Sequence, residues 1–279
     1  MSSHPGKYIQ RAIIGGGAVL LVVICGFPLL WMAITSFKLS AEILSQEFRF
    51  FPTRVTAAAY DRLFAQTEFA TFFLNSFVVA LATTLITVFV GTLAAYAITR
   101  FEFVGKRLFS TTILFIYMFA PIMLIVPLYV VLRALGLIDT RAGLVLAYTT
   151  FALPFSLWML RSFFKSIAVD LELAALVDGA SRAQAVWYVI LPLALPGVIA
   201  VSVFTFLVAW NDYLFARVLI ASSGLKTLTV GIQDLVDAST TDWALLMAAG
   251  VLITLPVFFA FLFLQKYLIA GWGTGGVKG

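Results

Sequence analysis

The hydrophobic and polar positions of this chain divide it into long apolar stretches separated by shorter charged ones. Six stretches contain no Asp, Glu, Lys, Arg or His and are long enough to cross a hydrocarbon core of about 30 Å. They are Ile13–Ile34, Phe72–Ile98, Phe109–Leu132, Gly143–Leu160, Leu191–Asn211 and Trp243–Leu264. The first ends in Thr35-Ser36-Phe37-Lys38 and not in a small-residue cleavage site, so we interpret it as a retained span. The pattern predicts an all-α, polytopic membrane protein with six transmembrane helices.

The composition agrees with this pattern and leaves no stretch for a soluble domain. The chain is 62% hydrophobic and 11% charged, whereas soluble domains contain about 25% charged residues. Its longest polar connections are residues 38–71, 161–190 and 212–242. We therefore expect an N-terminal segment 1–12, a transmembrane domain 13–265 that includes the loop 161–190, and a C-terminal tail 266–279.

Basic residues indicate the orientation in the membrane. The short connection Thr99–Leu108 contains Arg100, Lys106 and Arg107, and short loops rich in Lys and Arg stay in the cytoplasm. Because the number of spans is even, both termini and the loop 161–190 are then predicted to be cytoplasmic. The formal net charge of +5 reflects this orientation and contact with the lipid bilayer, and it does not indicate a nucleic acid partner.

The prolines suggest helices that are broken around a pathway. Seven of the nine prolines lie in the spans or at their ends: Pro28, Pro121, Pro127, Pro154, Pro192, Pro196 and Pro256. In lipid, a broken helix is tolerated where neighbouring helices or a water-filled cavity satisfy its free backbone groups. Prolines are also common in ordinary transmembrane helices, so simple packing remains an alternative.

The sequence offers no catalytic or metal-binding residues and no energy source of its own. The single cysteine and the single histidine, Cys25 and His4, exclude a disulfide framework, a zinc site and a Ser-His-Asp arrangement. No glycine-rich phosphate loop ends in Lys-Ser or Lys-Thr, so any ATP must be bound by another polypeptide. No Asp, Glu, Lys or Arg lies in the middle of a span, which disfavours a proton- or sodium-driven carrier.

The most informative stretch is residues 172–197, which places a charged, glycine-broken segment between two apolar spans. Glu172 opens a run of helix formers, with its charge at the positive end of the helix dipole. Gly179 can take the left-handed conformation that ends a helix, so Asp178-Gly179 is predicted to form a corner. Ser181 is then the N-cap of a second helix that leads into the next span. By itself, such a helix-turn-helix is equally typical of an amphipathic segment at the membrane surface.

The residues of this stretch resemble the signature loop by which the membrane subunits of ATP-binding-cassette (ABC) importers contact their ATPases. The family pattern is Glu-Ala-Ala, a short gap, Asp-Gly-Ala, and Leu-Pro further on. The positions that fall on it are Glu172, Ala174, Ala175, Asp178, Gly179, Ala180, Leu191, Pro192 and Pro196. Leu173 and Val186 depart from it, since many relatives have a second Glu and an aromatic residue there.

The resemblance covers nearly the whole chain and is closest to the second permease subunit of maltose-type carbohydrate importers. The segments that carry it are FPLLWMAITSFK at 27–38, Asn75-Ser76, AAYAITRFEFVGK at 94–106, PLYVVLRALGLIDT at 127–140, LPF at 153–155, WND at 210–212 and GGVKG at 275–279. Their order and spacing are specific, although several are weak alone. The resemblance implies the type I ABC-importer permease fold in a prokaryotic inner membrane.

The resemblance also implies partners and sites. The partners are a second homologous permease, two cytoplasmic ATPase subunits that bind ATP and Mg, an extracytoplasmic solute-binding protein and a sugar; this chain itself binds no cofactor. The loop residues that would couple to the ATPase are Glu172, Ala174, Ala175, Asp178, Gly179 and Ala180. The residues that would reach into the ATPase pair from the C-terminus are Gly275, Gly276, Val277, Lys278 and Gly279.

Four residues near the outer ends of the spans are candidates for the translocation path or its gate: Asn75, Trp210, Asn211 and Asp212. Polar groups beside an aromatic ring suit sugars, which are rich in hydroxyls and have flat faces. Helix capping and an external gate explain Asn75 and Asp212 equally well. Two other functions remain open, namely an ABC-importer permease for a non-sugar solute and a self-contained secondary carrier or channel.

Overall fold

The chain folds into helices joined by short connections. The computed structural model describes residues 5–45, 47, 49–237 and 242–275. The α-helices in this part of the chain are α1 (Pro5–Ser36), α2 (Ser40–Ile43), α3 (Ala58–Gln66), α4 (Phe69–Arg100), α5 (Lys106–Tyr117), α6 (Ile125–Ala134), α7 (Arg141–Ser166), α8 (Val169–Val177), α9 (Arg182–Ala185), α10 (Leu191–Asn211), α11 (Leu214–Leu219), α12 (Leu228–Val236) and α13 (Trp243–Gly275). The described residues form no β-strand, so the predicted all-α class is confirmed.

Five helical segments are long and apolar enough to cross a membrane. They are Ile14–Ser36, Phe69–Arg100, Arg141–Ser166, Arg182–Asn211 and Trp243–Lys266. A sixth span arises if the bent pair Lys106–Tyr117 and Pro121–Ala134 is counted as one. Five of the six predicted spans are therefore matched by single helices, and the predicted third span corresponds to the bent pair.

The third span breaks between α5 and α6. Its two halves meet at 102°, and a 3₁₀ turn, Pro121–Leu124, connects them. Ala120 is extended, with φ −61° and ψ 132°. A residue that precedes proline is disfavoured in the α conformation, and the proline itself has no N–H to continue the helix. Pro121 thus explains why the chain turns here within an otherwise apolar stretch.

The helices extend beyond the charge-free stretches that predicted them. α1 begins at Pro5, inside the predicted N-terminal segment 1–12. α13 continues to Gly275, inside the predicted tail 266–279. α7 runs from Arg141 to Ser166, beyond the predicted Gly143–Leu160 at both ends. A criterion based on missing charges detects only the lipid-embedded part of a helix, whereas the backbone hydrogen bonds continue into the aqueous ends.

Backbone contacts divide the chain into two compact units. The first contains residues up to Phe69 together with Ile232–Leu255. Within it, α13 approaches α1 so closely that a Cβ on Gly250 would lie 2.7 Å from Sδ of Met32. Within the same unit, Asp242 contacts α3, with its Oδ2 3.0 Å from a guanidinium nitrogen of Arg62.

The second unit contains Ala70–Gly231 and the residues from Pro256 onward. Its core is a cluster of buried side chains from α4, α7, the segment before α10, and α10: Ala95, Leu160, Phe164, Ile190, Ala194 and Val201. Small residues allow the close approach, since a Cβ on Gly197 would overlap the ring of Phe163. The hydroxyls of Ser156 and Thr205 are 3.2 Å apart across α7 and α10.

Candidate functional site

The corner predicted at Asp178-Gly179 is formed by two consecutive capping motifs. Gly179 has φ +90°, a left-handed conformation that glycine adopts without strain. The amide of Gly179 donates to the carbonyl of Leu176 at 3.1 Å, and the amide of Ala180 donates to that of Ala175 at 3.0 Å. This pair of hydrogen bonds is the Schellman motif, which ends α8 and satisfies its last carbonyls.

The second helix of the corner begins two residues later, at the predicted N-cap Ser181. Oγ of Ser181 accepts from the amide of Gln184 at 3.3 Å, and the amide of Ser181 donates to Oε1 of Gln184 at 2.7 Å. This reciprocal capping box fixes the start of α9. The chain then passes through a π-helical turn, Val186–Ile190, directly into α10, so that the corner is continuous with a membrane span.

The coupling candidates differ in how far they are exposed to solvent. Ala174, Asp178 and Gly179 are exposed, and Ala175 and Ala180 are partly buried. Beside them, large apolar side chains are exposed, including Leu173 at 51% and Val177 at 86%. Both side chains belong to α8, so this end of the corner exposes apolar as well as polar groups.

Glu172 differs from the other coupling candidates because it is buried. Its helix begins at Val169, three residues before the predicted start, and Glu172 lies in the first turn. Oε2 of Glu172 is 2.9 Å from Nε of Arg100, and the two side chains are each 5% exposed. The atoms form an ion pair without hydrogen-bond alignment. Oε1 of Glu172 accepts from the hydroxyl of Tyr96 at 2.6 Å.

Contacts of this kind join both helices of the corner, α8 and α9, to the end of α4. Arg100 also donates to the carbonyl of Ile167 at 3.0 Å, just before α8. On the other half, the guanidinium of Arg182 lies 5.3 Å from the ring centre of Phe101, a cation–π distance. The ring of Phe101 in turn packs edge-on against Tyr96. The two helices of the corner are thus both in direct contact with the end of α4.

Asn75 is buried at the opposite end of α4 and is 1% exposed. Its Nδ2 donates to the carbonyls of Gly224 and Lys226, both at 2.9 Å. The neighbouring Ser76 accepts the amide of Leu228 at 2.7 Å. The polar groups of Asn75-Ser76 therefore hold the connection before α12 in place.

Asp212 joins the start of α11, in the connection between α10 and α12, to α7. Its Oδ2 accepts from the hydroxyl of Tyr148 at 2.8 Å and from the amides of Phe215 and Ala216 at 3.1 and 3.2 Å. Burial raises the pKa of this carboxyl, while those hydrogen bonds act in the opposite direction. Asp212 therefore fixes the start of α11.

Trp210 and Asn211 have different surroundings from each other. Trp210 is 2% exposed, and its ring packs against Phe73 and Phe206 with centres 5.4 and 5.5 Å away. Asn211 is exposed, and its Nδ2 donates to the carbonyl of Leu207, on its own helix, at 2.9 Å. The structure brings Asn75 and Asp212 to one connected segment, whereas Asn211 takes no part in it through any contact described.

Asp139 also holds the connection between α10 and α12, and it was not among the site residues predicted from the sequence. Its Oδ1 accepts from the amides of Ala221 and Ser222, both at 2.9 Å. The Ser222 hydroxyl hydrogen bond and these amides lower the pKa of Asp139. Asp139 has φ +57°, the only positive φ among the described non-glycine residues. The signal in the sequence was Gly-Leu-Ile-Asp-Thr, a turn with an Asp that accepts from backbone amides.

An aromatic cavity of about 410 Å³ lies at the break in the third span. Its lining includes the rings of Tyr117, Phe119, Phe151 and Phe204. Phe155 packs behind them, with its ring centre 4.0 Å from that of Phe204 and 5.4 Å from that of Tyr117. This cavity was not predicted from the sequence, although Pro121 and Pro154, which line it, were among the prolines that suggested helices broken around a pathway.

The predicted C-terminal contact lies almost entirely outside the described residues. Gly275 is the last residue of α13, and Gly276, Val277, Lys278 and Gly279 lie beyond the part of the chain that the structure describes.

Comparison with known proteins places this geometry in a family. Residues 87–273 match the binding-protein-dependent transport system inner membrane component family. The chain is 37% identical to the inner membrane ABC transporter permease protein YcjP of Escherichia coli (strain K12), over 94% of this chain and 95% of that protein. It is 39% identical to the trehalose transport system permease protein SugB of Mycobacterium tuberculosis (strain CDC 1551 / Oshkosh), over 94% and 97%.

The fold is similar to that of a solved bacterial ABC transporter involved in the import of the acidic polysaccharide alginate. The match has a TM-score of 0.80 at 24% identity and covers 96% of this chain and 99% of the other. Given the family match, this chain belongs to the inner membrane components of binding-protein-dependent transport systems. It is a membrane transport subunit, as the sequence predicted.

Proposed function

We propose that this chain is one permease subunit of an ATP-driven, binding-protein-dependent importer of di- or oligosaccharides. Family membership supports an importer permease, and similarity over most of the chain to a trehalose transport permease supports a sugar as the solute. The observation that carries the proposal is the corner at Gly179, an exposed surface tied by a buried ion pair to α4. Such a corner receives a force from outside the chain and passes it to the membrane spans.

The proposed assembly contains a second, homologous permease, two cytoplasmic ATPase subunits and an extracytoplasmic solute-binding protein. ATP and Mg bind to the ATPase subunits, and this chain binds no cofactor and catalyses no covalent step. The exposed Leu173 and Val177 support contact between α8 and an ATPase. α1 also leaves large apolar side chains exposed between Ile14 and Leu30, as expected for a helix that contacts lipid or the second permease.

In the proposed orientation, both termini and the corner are cytoplasmic. Arg100, Lys106, Arg107 and Arg182 all belong to the ends of helices on the side of the corner, which agrees with the preference of basic residues for the cytoplasm. The tail from Gly275 to Gly279 then extends from the cytoplasmic end of α13 toward the ATPase pair.

The coupling residues have two different roles in this proposal. Ala174, Asp178 and Gly179 form the exposed contact surface, while Ala175 and Ala180 close the Schellman motif that shapes it. Glu172 is buried and acts as the internal link, because its partners Arg100 and Tyr96 belong to α4. When the ATPase subunits close on ATP, displacement of the corner moves the end of α4.

The translocation surface is assigned to the aromatic cavity at the break in the third span. Its rings can stack on the apolar faces of sugar rings, and substrate sites in transporters often lie near the bilayer midplane where a helix is interrupted. Asn75 and Asp212 are assigned to the external gate, because both form hydrogen bonds with the connection that follows α10. Trp210 is assigned to it because its ring packs at the end of α10, two residues before Asp212. Asn211 lies beside that gate and is exposed, and its described hydrogen bond stays within its own helix.

Purification and reconstitution test the proposal. The complex should contain this chain, a second permease and two ATPase subunits, and it should transport sugar into proteoliposomes only with ATP and the loaded binding protein. Recovery of this chain alone with ATP-independent transport would instead show a secondary carrier or channel. A complex whose binding protein holds an amino acid or a phosphate ester would show an importer of another solute.

A further inference from the structure

A basic cavity lies between the start of α5 and the second half of α7. It has a volume of about 1040 Å³. Its lining includes Glu102, Lys106, Arg107, Ser110, Trp158 and Arg161. Because α4 ends at Arg100 and α5 begins at Lys106, the cavity lies at the same membrane surface as the corner at Gly179.

The charges in this cavity are not balanced. Nζ of Lys106 is 2.7 Å from Oε1 of Glu102 and donates to the carbonyl of Phe101 at 3.0 Å. Within the described part of the chain, neither Arg107 nor Arg161 forms an ion pair. Two guanidinium groups therefore face one cavity without a counterion from this chain, an arrangement that attracts an anion.

Two further features of the cavity favour an anion with acceptor oxygens. Gly105, in the left-handed conformation, precedes α5 and provides no side chain to cap it, and the N-terminus of a helix attracts anions. Oγ of Ser110 is buried and forms no hydrogen bond with the described residues. A buried hydroxyl without a partner is costly, and rotation of this side chain toward the cavity would let it donate to an oxygen of a bound phosphate.

The surroundings of the cavity indicate that the anion is part of a lipid. Leu108 is 72% exposed and Trp158 is 50% exposed beside the two arginines. Tryptophan is enriched at the depth of lipid headgroups, and basic pockets between membrane helices on the cytoplasmic side bind anionic headgroups. A soluble anion would need no adjoining apolar surface.

We propose that this cavity binds the phosphodiester headgroup of an anionic phospholipid of the surrounding bilayer, between Arg107 and Arg161, with an acyl chain along Leu108 and Trp158. The cavity also borders the coupling network, because the carbonyl of Phe101 accepts from Lys106 while its ring contacts Arg182. A bound lipid would thus stiffen the connection that follows Arg100. This site is independent of the solute that the complex carries.

The test measures lipid binding to the purified complex in nanodiscs. Fluorescence of Trp158 is isolated as the difference between the wild-type complex and a Trp158→Phe complex. Quenching is then compared for phosphatidylglycerol and phosphatidylcholine with brominated acyl chains, each titrated into nanodiscs of unbrominated phosphatidylcholine. We expect brominated phosphatidylglycerol to quench at a lower mole fraction than brominated phosphatidylcholine.

The variants Arg107→Gln and Arg161→Gln should each reduce this preference about fivefold, since one basic residue near a membrane surface contributes about 1 kcal/mol to anionic lipid binding. The matched control is Arg141→Gln. Arg141 begins the same helix as Arg161 and lies twenty residues earlier, about 30 Å away along the axis. Size-exclusion chromatography confirms that each variant complex is assembled, and Ser110→Ala, which removes no charge, provides a second variant.

Three outcomes would overturn the proposal. Equal quenching by the two lipids would show an ordinary lipid contact, and an equal loss in Arg141→Gln would show general surface electrostatics. Displacement of brominated phosphatidylglycerol by millimolar inorganic phosphate would show a site for a soluble anion. A preference that falls only in the cavity variants and resists inorganic phosphate supports a phospholipid site.

Discussion

Arg100 and Glu172 form a buried ion pair that joins the end of α4 to the first turn of α8. The charged atoms are 2.9 Å apart and both side chains are 5% exposed. A pair taken out of water in this way is a poor source of net stability, but the loss of one partner leaves an uncompensated buried charge. We therefore regard this pair as a device that keeps the corner and α4 in one relative position.

Glu172→Gln should destabilise the complex and uncouple ATP hydrolysis from transport. Breaking a buried pair typically costs about 3–5 kcal/mol, and Gln also provides a weaker acceptor for the Tyr96 hydroxyl. Thermal unfolding in detergent and sugar uptake per ATP hydrolysed are the measurements. The double variant Arg100→Met with Glu172→Leu should recover part of the lost thermal stability, because no buried charge remains, but it should not recover tight coupling.

The matched control for this prediction is the exposed pair of Glu47 and Arg49, whose charged atoms are 2.7 Å apart with side chains 75% and 52% exposed. Exposed pairs contribute little, so Glu47→Gln should leave both measurements unchanged. Equal thermal stability and equal coupling in Glu172→Gln and Glu47→Gln would refute the role given to the buried pair.

Gly179→Val should lower sugar-stimulated ATP hydrolysis while the subunit still inserts into the membrane. A Cβ at this position would meet no atom within 4 Å, so the cost comes only from the φ of +90°, at about 1–3 kcal/mol. Valine would force the corner to relax and would tilt its surface. The rate of ATP hydrolysis with loaded binding protein measures the effect.

Gly179→Asn is the control, because asparagine adopts the left-handed conformation more readily than valine. It should keep most of the stimulated rate. Normal stimulation in the valine variant would remove the argument that backbone geometry at Gly179 shapes the docking surface.

The sequence predicted this corner because its determinants are local. Gly179, Ser181 and Gln184 act through hydrogen bonds to residues within a few positions of themselves, and such capping chemistry is readable from residue types. The inward position of Glu172 was not readable in this way. Its partner Arg100 is distant in sequence, and only the packing of α8 against α4 brings the two together.

The spans show the same division between local and tertiary causes. Charge-free stretches located the membrane segments, since burial in lipid requires apolar residues over a fixed length. They could not show the bend of 102° in the third span, because an apolar run has the same composition whether it is straight or broken. Pro121 was the available signal, but proline alone does not specify how far a chain turns.

Asn75→Ala should loosen the connection that precedes α12 and raise the basal rate of ATP hydrolysis. The two hydrogen bonds from Nδ2 to Gly224 and Lys226 would be lost, and two carbonyls would lose their donor. Faster hydrogen exchange in residues 222–228 and the ATPase rate without binding protein are the measurements. Preference among sugars should not change.

Asn211→Ala is the matched control, because Asn211 is exposed and bonds only to its own helix among the contacts described. It should change neither quantity. If Asn75→Ala alters the preference among sugars, direct sugar contact replaces gating as the role of Asn75; if it changes nothing, neither role holds.

Phe204→Leu should raise the KM for sugar transport severalfold while leaving the basal rate of ATP hydrolysis unchanged. Phe204 lines the cavity at the break in the third span, and its ring centre is 4.0 Å from that of Phe155. Leucine keeps the side chain apolar but removes the flat face on which a sugar ring can stack, an interaction of about 0.5–1.5 kcal/mol for paired aromatic rings.

Phe258→Leu is the control, because Phe258 is 53% exposed on α13 and does not line this cavity. Uptake into proteoliposomes at a series of concentrations of loaded binding protein would separate KM from kcat. An unchanged KM in Phe204→Leu, or an equal rise in Phe258→Leu, would show that this cavity does not contact the solute.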